Sequence, residues 1–169
     1  MTLEPITLHT PIGTLHGGVE DGALAALGFE RGTTLEKLQA RHGFEIAATA
    51  GAATRRVETQ LRRYFDGDVA ALDDVPVAPV GGTPFQRRVW TTLRSIPTGQ
   101  TLSYRDLARR IRNPKAVRAV GSANGANPVP IVLPCHRVIA ANGTLGGYGG
   151  GLPVKRWLLK HEGVVVNGA

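Results

Sequence analysis

A chain of 169 residues that is 42% hydrophobic can bury one core or two small ones, and it holds neither the run of about 18 apolar residues of a membrane span nor the basic start of a signal peptide, Glu4 and Pro5 standing there instead. Its single cysteine, Cys135, excludes a disulfide within the chain and any multi-cysteine zinc cluster, so the expected setting is a reducing cytoplasm. The net charge of +7 is unevenly divided: residues 1–80 carry 7 Lys and Arg against 11 Asp and Glu, a net −4, and residues 81–169 carry 13 against 2, a net +11, so a polyanion is expected to bind the second half.

In chain order, Pro5 to His9, Thr14 to Val19 and Ala23 to Phe29 read as strands of a small antiparallel sheet, with Asp21-Gly22 suited to a tight hairpin turn. Thr34 to Arg41 predicts a short helix ended by Gly43. Val57, Leu61, Tyr64 and Phe65 recur at helical spacing over Thr54 to Phe65, and Gly67 stops that helix. Residues 66–82, with Asp73-Asp74, Pro76, Pro79 and Gly81-Gly82, show neither period and are expected to link an α/β domain of residues 1–80 to a second domain over 81–169.

The second half reads as mostly helical. Thr83 and Pro84 supply an N-cap and a first helical residue, with Phe85, Val89, Trp90 and Leu93 facing inward until Pro97 and Gly99. Ser103 with Asp106 resembles a capping box opening a short helix through Leu107, Ala108 and Ile111. A further helix is expected from Asn113-Pro114, with Ala116, Val117, Ala119, Val120 and Ala123 apolar and Lys115 and Arg118 basic. Two short helices so spaced suggest a helix-turn-helix, a weak signal taken alone. Ile131-Val132-Leu133 then predicts a short buried strand that delivers Cys135. The loop Gly143 to Gly151 contains one aromatic residue, Tyr148, and a helix over Pro153 to His161 turns Trp157, Leu158 and Leu159 inward.

A thiol attacks as thiolate, so a working cysteine needs a base or a positive environment. Cys135-His136-Arg137 offers both. Neighbours on a strand point to opposite faces, which favours a water between the sulfur and the His136 ring over direct contact. The acids of the second half are Asp106, assigned to a helix start, and Glu162, which by elimination would orient the base. On this chemistry alone Cys135 is as readily an inert core residue beside a chance histidine.

Ile131-Val132-Leu133-Pro134-Cys135-His136-Arg137-Val138-Ile139, Ser103-Tyr104, Asn113-Pro114-Lys115-Ala116-Val117-Arg118-Ala119-Val120-Gly121 and Leu158-Leu159-Lys160-His161-Glu162-Gly163 occur in that order. With them the run from Phe85 to Gly163 resembles the C-terminal domain of the methylated-DNA–protein-cysteine methyltransferases, the O6-alkylguanine-DNA alkyltransferase family. Thr10-Pro11-Ile12-Gly13 fits its more variable α/β domain. The resemblance implies a small α/β domain followed by a mostly helical domain with a helix-turn-helix and a short active-site strand.

It also implies single-use direct repair of duplex DNA, in which O6-alkylguanine, and O4-alkylthymine less efficiently, is flipped out and dealkylated without a cofactor by a monomer. In that picture Cys135 accepts the alkyl group, and His136 and Glu162 complete a relay through water. Tyr104 rotates the target phosphate and protonates the leaving base, and Asn127 holds the turn before the cysteine. Arg118 enters the base stack, Lys115, Ala119 and Arg137 join it at the DNA, and Val138, Tyr148, Gly149 and Gly150 line the base pocket. Vertebrate members bind zinc through N-terminal cysteine and histidine; without cysteine there, no metal is expected. Gly149 stands where some members have a serine, implying a roomier pocket, and Cys135 excludes the branch that carries tryptophan at this position. A turnover cysteine hydrolase would use the same Cys/His/Glu set, and a non-enzymatic DNA-binding regulator would leave the thiol idle.

Overall fold

In the computed structural model, which describes residues 1–166, the chain divides between Gly81 and Gly82 into two units. The first is built on a meander of β1 (Thr2–Thr10), β2 (Gly13–Glu20) and β3 (Ala23–Gly28). Asp21 and Gly22 both adopt positive φ, 49° and 79°, the twist-matched hairpin geometry that a small polar residue followed by glycine adopts readily. Helix α1 (Leu35–His42) is capped by Thr34, whose hydroxyl accepts from Lys37 N at 3.2 Å, and ends at Gly43 with φ 73°. Glu45–Ile46 forms β4, which pairs in parallel with β1, so the four-stranded sheet is mixed and not wholly antiparallel. Helix α2 (Ala52–Phe65) buries Thr54, Val57, Leu61 and Tyr64 at helical spacing.

The expected linker is only partly one. Leu72, Val75 and Val80 are buried, and residues 76–80 run alongside β3: Leu24 N donates to Pro76 O at 2.8 Å, Ala78 N to Leu24 O at 2.9 Å and Val80 N to Ala25 O at 3.0 Å. The donors used are Ala78 and Val80, so Pro76 and Pro79 stand where no N–H is needed, as edge prolines do.

In the second unit, α3 (Pro84–Leu93) opens on a full capping box: Gln86 N donates to the Thr83 hydroxyl at 3.1 Å and Thr83 N to Gln86 Oε1 at 2.9 Å. It buries Val89, Trp90 and Leu93, and Trp90 Nε1 donates to Ala123 O at 2.7 Å. β5 (Leu102–Ser103) runs into α4 (Tyr104–Arg110), capped by Ser103 on Asp106 N at 3.0 Å, and α5 (Val117–Gly125) follows. Leu107, Ala108 and Ile111 from the first helix and its end, and Val120 and Ala123 from the second, are the buried apolar residues of this helical pair. α5 begins later than expected because residues 113–116 close a turn of their own, Ala116 N on Asn113 O at 3.0 Å. Lys115 therefore lies in the connection, and Ala119 is exposed on α5 with Arg118.

No strand delivers the cysteine. Cys135–Arg137 form one turn of 3-10 helix, and the strand, β6 (Val138–Ile139), starts after it and pairs in parallel with β5. Pro128, Pro130 and Pro134 have no N–H to give to a ladder. Ile131 takes a positive φ of 74°, and the hydrogen bonds before the cysteine are local, Leu133 N to Val129 O at 3.0 Å and Cys135 N to Leu133 O at 2.7 Å. The apolar run is buried, as its composition implies, but it is folded into turns. Helix α6 (Leu152–His161) ends this unit with Leu158 and Leu159 buried and Trp157 partly so, its ring stacked on His161 at a centroid distance of 4.5 Å.

Candidate active site

The 3-10 turn brings three consecutive side chains into the interior. Cys135 is 6% exposed, His136 is fully buried and Arg137 is 7% exposed. Glu162, the residue that caps α6, closes the set: His136 Nε2 and Glu162 Oε2 are 2.8 Å apart, and Arg137 Nε donates to Glu162 Oε1, also at 2.8 Å. Arg137 also donates to Ile96 O at 2.8 Å and to the Thr98 hydroxyl at 3.2 Å. Its expected place at the DNA is therefore corrected: the guanidinium is enclosed and each of its three nitrogens donates to the protein, because the buried Glu162 carboxylate needs a counter-charge.

The electrostatics follow from this enclosure. Burial pushes the Glu162 carboxyl up, but the hydrogen bonds from His136 and Arg137 and the Arg137 charge outweigh it and hold the group at about 2. Burial pushes His136 down, against the pull of Glu162, so the ring rests neutral with Nε2–H donating to the carboxylate. Nδ1 is then an acceptor, and it has no hydrogen-bond partner among the described residues. Burial raises the Cys135 thiol above its ordinary value, while hydrogen bonds from Asn127 and Tyr148 and the charge of Lys155 act the other way. At rest, then, thiol and imidazole are both neutral.

Around the sulfur, Asn127 is 5% exposed and fixes the approach to the turn: its Nδ2 donates to Leu133 O at 2.8 Å and its Oδ1 accepts from Val129 N at 2.9 Å. Asn124, on α5, donates to Cys135 O at 3.4 Å. Burial raises the half-buried Tyr104 hydroxyl, and Cys135 adds to the shift. Tyr104 also leans on the glycine loop, where a Cβ at Gly146, whose φ is 72°, would lie 2.8 Å from its oxygen. Only glycine permits that approach. Val138 is buried, Tyr148 and Gly150 are partly buried and Gly149 is exposed.

A family model described as "6-O-methylguanine DNA methyltransferase, DNA binding domain" matches residues 84–164. A methylated-DNA–protein-cysteine methyltransferase of Shigella flexneri is 56% identical over 107 residues, 63% of this chain and 62% of the relative, so the match spans under two thirds of that protein's length. One from Methanosarcina mazei is 54% identical over 108 residues, 64% of this chain and 67% of the relative. The crystal structure of the Mycobacterium tuberculosis OGT in complex with DNA is 40% identical with a TM-score of 0.77, covering 96% of this chain and 92% of that one. The chain belongs to the methylated-DNA–protein-cysteine methyltransferase family.

Within this family member, Cys135, His136, Glu162, Asn127, Tyr104 and Tyr148 gather in the second unit, whereas Arg118, Ala119 and Lys115 are exposed on or just before α5. Exposed Arg105, Arg109, Arg110 and Arg112 belong to α4 and the turn after it, so the charge excess of this half is displayed on the helical pair. Among the described residues no group of three His, Cys, Asp or Glu is placed to hold a metal ion. No described helix is long and apolar enough to cross a membrane.

Lys155 was not anticipated. It sits three, four and seven residues before Leu158, Leu159 and Glu162, the spacing of one helix face, so a lysine within the inward stripe of α6 was the available signal.

Proposed function

We propose that this protein repairs duplex DNA by moving an alkyl group from O6 of guanine, and less efficiently from O4 of thymine, onto Cys135, once per molecule. The observation that carries this is the fully buried His136–Glu162 pair, 2.8 Å apart, beside the one cysteine. Neutral His136 presents Nδ1 as a base for the thiol proton, through a water, and Glu162 stabilises the imidazolium that results. Asn127, Tyr148 and the charge of Lys155 favour the thiolate. The sulfur attacks the alkyl carbon, a C–S bond forms as the C–O6 bond breaks, and the leaving guanine takes a proton from the Tyr104 hydroxyl. The atoms balance without a cofactor.

A base inside the duplex must leave the stack to meet a sulfur this enclosed. Arg118, exposed on α5, is the side chain that would fill the gap, with Lys115 and Ala119 beside it against the DNA. Val138, Tyr148, Gly149 and Gly150 would receive the extruded base, Tyr104 would turn the phosphate, and a monomer suffices. Tryptic mass spectrometry after mixing with O6-methylguanine duplex tests the reading. A permanent methyl on Cys135 is expected; unmodified Cys135 with DNA bound would indicate a regulator, and a transient acyl adduct on other substrates a hydrolase.

Glu162→Gln is expected to slow transfer about tenfold and to raise the pH at which Cys135 reacts, while DNA affinity changes by less than about twofold because the basic face is untouched. Removing one partner of the buried pair should also cost about 3 kcal/mol of stability. Since the carboxyl is held at about 2 against an ordinary 4.5, its contribution is complete above pH 4.5 and is lost as pH falls toward 2. Thermal melts from pH 7 to 2 should show that loss in the parent and a flatter profile in the variant. Normal thiol titration with lowered stability alone would reduce Glu162 to tying α6 to the cysteine turn.

A further inference from the structure

Helix α4 ends on a pattern that two other helices of the chain share. Arg112 N donates to Arg109 O at 2.9 Å and Asn113 N to Ala108 O, also at 2.9 Å, the paired closing bonds that require a left-handed residue just past the helix. α2 closes in the same way on Gly67, with Gly67 N on Tyr64 O at 3.1 Å and Asp68 N on Arg63 O at 3.0 Å. α6 does so on Gly163, with Gly163 N on Lys160 O at 3.0 Å and Val164 N on Leu159 O at 2.8 Å. Glycine holds the left-handed position in both, at φ 116° and 85°, because it has no Cβ to strain. In α4 the position belongs to Arg112, at φ 60°.

Nothing among the described residues offsets that strain. The Arg112 side chain is exposed and makes no hydrogen bond or ion pair with them, whereas Arg109 meets Asp106 at 3.5 Å and Arg110 donates to the Ser95 hydroxyl at 2.9 Å. Arg109 and Arg110 already put positive charge in the last turn of α4, where the helix dipole favours it. A third guanidinium there meets like charge from both, and from exposed Lys115 three residues on. We propose that Arg112 is a DNA-backbone contact: its guanidinium, held at the turn between the two helices of the pair, takes one phosphate of the duplex. A polyanion turns the like-charge crowding into attraction, and phosphate accepts a guanidinium through two parallel N–H donors. Such a contact positions the helical pair on the duplex and reads no base. This rests on the reading that the pair faces DNA.

Arg112→Gly removes charge and strain together, so stability and binding are expected to move in opposite directions. In the full chain the variant should melt about 2–4 °C above the parent. On a short unmodified duplex it should bind about three- to tenfold more weakly at low salt, and its slope of log affinity against log salt should be shallower by about 0.9, the loss of one phosphate contact. Arg112→Lys keeps a charge on the same backbone and should retain most of the slope. Arg112→Asn tolerates the left-handed region without a charge and should bind as the glycine variant does. A role confined to ending α4 would leave the salt slope of all three variants at the parent's value, and that result overturns the proposal.

Arg56→Gln separates the contact from bulk charge, because it removes one exposed positive charge from the first unit. Its slope should equal the parent's; a loss as large as that of Arg112→Gly would make the effect one of net charge and overturn the proposal. A parent whose duplex affinity is flat against salt would instead sink the reading of the helical pair as a DNA-binding face. A steep parent slope left unchanged by Arg112→Gly rejects the contact alone.

Discussion

Cys135→Ser is expected to bind O6-methylguanine duplex as the parent does and to transfer nothing measurable, a loss of about 10⁴-fold or more. The hydroxyl is a poor nucleophile near neutral pH, and the buried surroundings that raise the thiol would disfavour an alkoxide far more. The basic helical pair is untouched by the change, so binding and chemistry separate at a single atom. Gel-shift titration and transfer of a radiolabelled methyl group measure the two. Weakened binding in a folded variant would place Cys135 in DNA recognition, and residual transfer above a few per cent would move the acceptor elsewhere.

Arg118→Ala is expected to slow repair of duplex by about 10- to 100-fold, a rise of about 1.4 to 2.8 kcal/mol in the barrier, because extruding a base costs a few kcal/mol that a side chain in the gap helps offset. Reaction with free O6-benzylguanine should change by less than about twofold, since no stack has to open. The exposure of Arg118 on α5 gives the variant little reason to unfold. Equal losses on the two substrates would assign Arg118 to the chemistry or to the fold. The duplex affinity of the parent should fall steeply with salt, as it does when several arginines neutralise phosphates.

The parts of the fold readable from sequence are those whose determinants are local. Thr34 with Gly43, Thr83 with Pro84 and Gln86, and Asp21-Gly22 each carry their own hydrogen bonds or backbone freedom within a few residues, and these helices and the hairpin lie where expected. The misread parts depend on partners far along the chain. Residues 76–80 show a strand's character only beside β3, and β4 is two residues long, too short for any period to register. The run before Cys135 is apolar enough for a strand, but burial does not distinguish a strand from a sequence of turns, and the prolines there decided for turns.

The site divides in the same way. Cys135, His136 and Glu162 are chemically conspicuous, whereas Arg137 is an arginine in a basic half until Glu162, 25 residues on, is seen to hold it inside. Lys155 satisfies carbonyls 8, 10 and 17 residues away, and no single stretch of sequence displays that pairing.

Cys135 is expected to accept one alkyl group and never release it. A thioether has no leaving group for water to displace, and no second cysteine exists in the chain to resolve it. Protein mixed with a tenfold excess of O6-methylguanine duplex, followed to completion and counted against active sites titrated with O6-benzylguanine, should yield one equivalent of repaired guanine and then stop, with the methyl recovered on Cys135 by mass spectrometry. Continued turnover beyond one equivalent, or a methyl recovered on any other residue, would contradict it.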